Sequence, residues 1–172
     1  LLTAFFYTCL KKELETIHFL FYISGMCKDF WKKGLKFSCT QCSSCCRFDS
    51  GFVFLSENDL SLLLKWASMS RGPFIETYCR WVLQPDGFKY LSLKEKSNFD
   101  CILWKDGGCS AYKYRPLQCS AFPFWNFLLN DKNMWETAAK DCPGMGYGKF
   151  HTSLEIAGTL DRQRKEPCIR KG

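Results

Sequence analysis

Four cysteines within eight residues, Cys39-Thr40-Gln41-Cys42-Ser43-Ser44-Cys45-Cys46, constrain this chain more than any other feature. A two-residue gap lets the backbone fold back so that two thiolates meet at one centre, where loop amides stabilise their charge. The spacing of Cys39, Cys42 and Cys45 also matches part of a run in which thiolates hold an iron–sulfur cluster. Adjacency limits how Cys45 and Cys46 both reach one ion, so Cys46 is expected at a second metal or on the opposite side of a cluster. The chain holds 12 cysteines, an even count that permits disulfides. A tight cluster with an adjacent pair argues against them.

Four more cysteines join the first four as candidate ligands. Cys101 and Cys109 stand at the outer ends of a predicted hairpin, close enough to face one site. Cys119 follows Arg115-Pro116, and Cys142 precedes Pro143-Gly144. Cys9, Cys27, Cys79 and Cys168 occur singly and read as buried small hydrophobes or plain thiols. With 172 residues, 47% apolar and 17% aromatic, the chain builds a core without crosslinks, so its cysteines call for a chemical explanation. The formal charge of +7 counts every cysteine as neutral, and metal-bound thiolates would offset it. The basic residues are also scattered, so a nucleic-acid partner is weakly supported.

The pattern predicts an α+β fold, a small single domain with helices around a short antiparallel sheet and cysteine-rich metal-binding loops. Residues 10–33 read as a helix stopped by Gly34, within an N-terminal helical segment, 1–36. The metal-binding domain is expected over 37–165 and a frayed tail over 166–172. A cysteine loop, 38–49, precedes a short buried strand, 51–55. Ser56-Glu57-Asn58-Asp59 resembles a capping box at a helix start. Further helices are expected at 73–82, 133–140 and 152–165, with a helical turn between Pro116 and Pro123. A strand is expected at 88–93, and a hairpin turns at Asp106-Gly107-Gly108. Gly144, Gly146 and Gly148 read as a loop, and the charged end from Arg162 as frayed. Residues 1–10 are apolar but lack the flanks of a signal peptide, and Ile17–Met26 is too short for a membrane span.

The order and spacing of these residues resemble a known family. The residues are Cys39-x2-Cys42-x2-Cys45-Cys46, Cys101, Cys109-x2-Tyr112-x2-Arg115-Pro116-x2-Cys119, Phe122-Pro123-Phe124 and Cys142-Pro143-Gly144. The chain is similar, from about 37 to 148, to the zinc- or iron-chelating proteins named after the YkgJ cysteine cluster. The resemblance implies a bacterial, cytoplasmic metal-binding domain. It carries over Cys39, Cys42, Cys45, Cys46, Cys101, Cys109, Cys119 and Cys142 as ligands. Flagellin lysine N-methylases share the cluster, although this chain leaves little room for a separate catalytic domain.

Both metals accept thiolates. Eight cysteines suit two zinc ions, or one iron–sulfur cluster of the 4Fe–4S kind with four thiols to spare. The repeat at 39, 42 and 45 and the Cys-Pro at 142 favour the cluster. Arg115 is expected to hydrogen-bond a thiolate or a backbone carbonyl. Phe122 and Phe124 are expected to shield the centre from water or to pack in the core. The first functional reading is a metal-binding module with a redox, sensing or metal-handling role, and with a possible protein partner. The alternatives are a protein-modifying enzyme of the lysine N-methylase kind, acting on a protein substrate, and a zinc-stabilised nucleic-acid binder. His18 and His151 sit in no catalytic motif. Asp100 and Asp141, each beside a candidate ligand, read as solvated surface.

Overall fold

A computed structural model describes residues 30–172. The helix expected at 10–33 falls outside this span up to residue 29. Phe30–Lys33 forms a 3-10 turn, and Gly34 takes a left-handed φ of +82° directly after it, as a helix-stopping glycine does. In chain order there follow β1 (Leu35–Phe37), a 3-10 turn (Ser44–Cys46), α1 (Glu57–Ala67), α2 (Arg71–Tyr78), β2 (Cys79–Leu83) and β3 (Lys89–Leu93). Next come β4 (Trp104–Lys105), β5 (Gly108–Cys109), a 3-10 turn (Tyr112–Tyr114), α3 (Leu117–Ala121) and α4 (Asn126–Asn130). The chain ends with α5 (Lys132–Asp141), β6 (Met145–His151), α6 (Ser153–Lys165) and β7 (Arg170–Lys171). The fold is α+β, with every strand pair antiparallel. Among the described residues no helix is long and apolar enough to cross a membrane.

The described chain forms two compact units. The first comprises Ser43–Ser120 and Lys165–Gly172. Its sheet has the order β2-β3-β7, and Val53 to Leu55 runs beside it, with Leu55 N–H donating to Leu91 O at 3.0 Å. Leu55, Leu60, Leu63, Phe74 and Leu91 are fully buried against it. The α1 helix starts where its sequence says it should. The Ser56 hydroxyl accepts from Asp59 N–H, and the Asp59 carboxylate accepts from Ser56 N–H, which satisfies two orphan donors at once.

The second unit comprises Ala121–Arg164 and the described residues up to Cys42. Strands β1 and β6 pair there with a break in register between Lys36 and Phe37. Aromatic contacts fill its interior. Phe37 meets Phe122 at 5.9 Å and Phe124 at 6.1 Å between ring centroids, and His151 meets Phe124 at 4.9 Å.

Four expectations are corrected. The helix expected at 73–82 ends at Tyr78, and residues 79–83 become β2, paired with β3 from Cys79↔Leu93 to Leu83↔Lys89. Of the glycines expected as a loop, Gly146 and Gly148 lie in strand β6, and Gly144 lies in the turn just before it. Glycine is needed there because a Cβ at Gly144 would lie 2.2 Å from Ser38 O, and one at Gly148 would lie 2.2 Å from Ser38 Oγ. The expected tail is also ordered in part, since α6 continues to Lys165 and β7 pairs with β3. Finally, α4 and α5 occupy 126–130 and 132–141, where only one helix, 133–140, is expected.

Candidate metal centre

Five of the eight candidate ligands lie in the first unit: Cys45, Cys46, Cys101, Cys109 and Cys119. Cys45 and Cys46 sit on the tight turn Ser44–Cys46, entered through Ser43 at φ +67°. This left-handed conformation is costly for a non-glycine residue and persists where its surroundings hold it. The turn aims both sulfurs the same way, with 3.7 Å between Cys45 Sγ and Cys46 Sγ. Adjacency therefore does not keep the two sulfurs apart.

Cys101 is brought to this turn by its backbone, since its N–H donates to Cys46 O at 2.8 Å. The hairpin β4–β5 sets Cys109 opposite Trp104. Its turn residues Asp106 and Gly107 have φ of +50° and +87°, the geometry that suits the twist of a two-residue hairpin. Cys101 itself precedes the ladder, where an outer hairpin position was expected. Cys119 lies on α3 and is half-buried. The α3 helix is tied to α1, because Leu117 N–H donates to Asp59 Oδ1 at 2.7 Å.

The electrostatics show that these five thiols share one neighbourhood. The hydrogen bond from Cys46 holds the Cys45 thiol down at about 7, opposed by burial and helped by the charge of Arg115. That same bond pushes Cys46 far up, and burial together with Cys45, Cys119 and Cys101 adds to the rise. Burial pushes Cys101 up to about 11, with Cys109 and Cys45 contributing. Burial also raises Cys109 and, more strongly, Cys119, each with help from Cys45. Each ionised sulfur thus penalises its neighbours, and a cation among them would remove that penalty. This donor set fits a thiophilic metal or cluster. Among the described residues, no group of three or more His, Cys, Asp or Glu side chains stands placed to hold a metal ion.

A selective alkylation experiment follows from these values. In metal-free, reduced protein Cys45 is expected to react first, with a rate that climbs as pH rises through about 7, because the thiolate is the nucleophile. Equal labelling of Cys45 and Cys101 at pH 7, read by peptide mass, would contradict this.

The remaining candidates lie in the second unit, where Cys39 and Cys42 are exposed and Cys142 is buried. Arg115 donates to Tyr112 O at 2.7 Å and lies 4.0 Å over the Tyr112 ring. Of its two expected partners it takes the carbonyl, and its charge reaches Cys45 and Cys109. Phe122 and Phe124 pack among the aromatics of the second unit. Cys79 is buried in the core of the first unit, as expected of a small hydrophobe. Cys168 is disulfide-bonded, which corrects its reading as a plain thiol or buried small hydrophobe. Asp100, expected on solvated surface, is 3% exposed. Its ion pair with Arg47, at 2.9 Å, joins residues 53 positions apart, and no local pattern announces it.

No solved structure matches the chain. A family model does, over residues 38–143, and its description reads "CxxCxxCC: Putative zinc- or iron-chelating domain". That span takes in all eight candidate ligands and most of the sequence. The chain therefore belongs to this cysteine-cluster family of zinc- or iron-chelating domains.

Proposed function

We propose that the chain chelates zinc or iron directly through cysteine thiolates. Cys45, Cys46, Cys101, Cys109 and Cys119 supply one set of donors, and Cys39, Cys42 and Cys142 are further ligands. The observation that carries this reading is the gathering of these five thiols, with Cys45 and Cys46 sulfurs 3.7 Å apart and with burial and neighbouring thiols raising Cys46, Cys101, Cys109 and Cys119 while Cys45 is lowered. Ionising several thiols within electrostatic reach of one another is unfavourable unless a cation is bound there.

One distance supports tetrahedral zinc, each ion taking four of these thiolates. A Zn–S bond of about 2.3 Å implies a sulfur–sulfur edge of about 3.8 Å in a tetrahedral site, close to the 3.7 Å between Cys45 Sγ and Cys46 Sγ. The repeat of Cys39, Cys42 and Cys45 supports a second reading, an iron–sulfur cluster. Exposure of Cys39, Cys42 and Cys45 supports a role in handling or sensing metal, because exposed thiolates let ligands exchange. A reducing, cytoplasmic setting belongs to this reading, and the disulfide at Cys168 runs against it.

The test is metal and acid-labile sulfide content, with a visible spectrum, on protein purified without oxygen. Zinc without colour is the expected result. Iron with sulfide and a broad brown absorption would replace the ion by a cluster. Protein that binds neither metal after reduction and reconstitution would sink the chelation reading.

A further inference from the structure

Two short segments carry ligands at one end of the first unit, and each continues in an unusual way. After Cys46 come Arg47 and Phe48; before Cys101 come Phe99 and Asp100. Phe48 and Phe99 both hold a left-handed φ, +77° and +66°, and both are exposed. Bulky residues rarely adopt this conformation, and when they do something nearby over-determines the backbone. Phe99 is held within its own turn, its N–H donating to Lys96 O at 3.0 Å, and the contact that links the two segments lies between the phenylalanines.

That contact is the pair Arg47 and Asp100. Arg47 Nε donates to Asp100 Oδ1 at 2.9 Å, and the Asp100 side chain is only 4% exposed. The second carboxylate oxygen accepts from Asn98 Nδ2 at 2.9 Å, so the acid cannot turn away freely. The Arg47 guanidinium lies 3.9 Å over the Trp104 ring and 4.7 Å over the Phe48 ring. Trp104 is in turn the ladder partner of Cys109. One residue nearer the ligands, Cys101 N–H donates to Cys46 O. The dipeptides Cys46-Arg47 and Asp100-Cys101 are thus joined twice, by a backbone hydrogen bond and by a buried, charge-assisted one.

We infer that the Arg47–Asp100 pair is a positioning device for the metal centre, holding the Cys46 and Cys101 thiols side by side and bracing the Cys109 strand through Trp104. The inference rests on the chelating reading above. Neither residue need touch the metal; they act through the backbone of the ligands they adjoin. Groups that orient metal ligands typically change affinity about 10–100-fold when removed.

The experiment measures zinc affinity by competition with a chromophoric chelator, for wild type, Arg47→Ala, Asp100→Asn, the double variant and Arg71→Ala. Arg71 makes an exposed ion pair with Glu57 in the same unit and serves as the control. Each single variant of the clamp is expected to bind zinc about 10–100-fold more weakly. The double variant is expected to lose little more than either single one, because both remove the same interaction. Arg71→Ala is expected to match wild type. Single variants within twofold of wild type, or losses that simply add, would overturn the clamp.

A second measurement does not depend on metal. Bridging of Cys46 to Cys101 by a short dithiol crosslinker in the reduced, metal-free protein is expected in wild type and lost in both single variants. If wild type binds no metal, the chelating reading fails, and this crosslink alone still decides whether the pair aligns the thiols. Equal crosslinking in all variants overturns it. Melting of each metal-free variant separates misalignment from unfolding.

Discussion

Stripping the metal with a chelator is expected to loosen the first unit selectively, from Ser43 to Ser50 and from Cys101 to Cys119, while β2, β3 and α1 hold. The segments that carry the ligands are short: a three-residue turn, a hairpin of two residues per strand and a five-residue helix. Isolated elements of such length are unstable in water. Leu55, Leu60, Phe74 and Leu91 of the core belong to other elements, while the ligand-bearing stretch contributes Leu103 and Ala111, so under the chelating reading thiolate–metal bonds add a further restraint to the ligand segments. A ligand at a thousandfold excess over its Kd stabilises the folded state by about 4 kcal/mol. Hydrogen exchange with and without metal checks this. Unchanged protection of residues 43–50 and 101–119 would show that the segments are set by packing alone.

The same thiols fix how affinity responds to acid. Cys101 at about 11, and Cys46, Cys109 and Cys119 above their ordinary value, carry protons at neutral pH in the metal-free protein. A metal must displace each proton it replaces, so affinity is expected to rise about tenfold per pH unit per proton released. Cys45 is half ionised at about 7. It adds one more proton to the count below that pH and little above it, so the slope of log Kd against pH steepens on the acid side. Competition titrations between pH 6 and 8 read the slope. An affinity that does not change with pH would exclude these thiols as ligands.

How far the sequence foretold this molecule depends on the distance over which each signal acts. The capping box at Ser56 and Asp59, the turn at Asp106 and Gly107, and the helix after Thr152 are signals spanning three or four residues, and all three appear. Strand β1 is different. Its partner, β6, lies more than a hundred residues away, and three residues have no period to read. The glycines in and just before β6 look like a loop until Ser38 is placed against Gly144 and Gly148. Residues 79–83 continue an apolar helical pattern, and only pairing across Pro85-Asp86-Gly87 makes them a strand. That tripeptide is a turn signal with a known mechanism, and it was legible. The candidate ligands can be picked out by spacing, but the electrostatic proximity of Cys45, Cys46, Cys101, Cys109 and Cys119 cannot. Neither can the Arg47–Asp100 pair, since an acid beside a cysteine carries no mark of its burial.

Replacing Asp59 by Ala is expected to cost the protein about 2–6 kcal/mol of stability. The carboxylate is 4% exposed and serves two elements. Its Oδ2 accepts from Ser56 N–H at 3.0 Å to start α1, and its Oδ1 accepts from Leu117 N–H at 2.7 Å to start α3. Alanine leaves both donors without a partner. Each such buried orphan costs about 1–3 kcal/mol, and the Ser56 donor is the half of the capping box that the variant removes. Asn at this position keeps one acceptor oxygen, so Asp59→Asn is expected to lose about half as much. Burial raises the Asp59 pKa above 3.8 against the pull of the Ser56 and Leu117 hydrogen bonds. The folded state therefore binds its proton more readily than the unfolded chain. By linkage, this group's contribution falls as pH rises from 3.8 through the folded value, and mild acid does not remove it. Urea unfolding of both variants measures the loss. The metal-loaded protein should also bind zinc less tightly in Asp59→Ala, because Leu117 begins the helix that carries Cys119. A loss below about 1 kcal/mol would mean that water satisfies these donors and that α3 is placed by the thiolate bond instead.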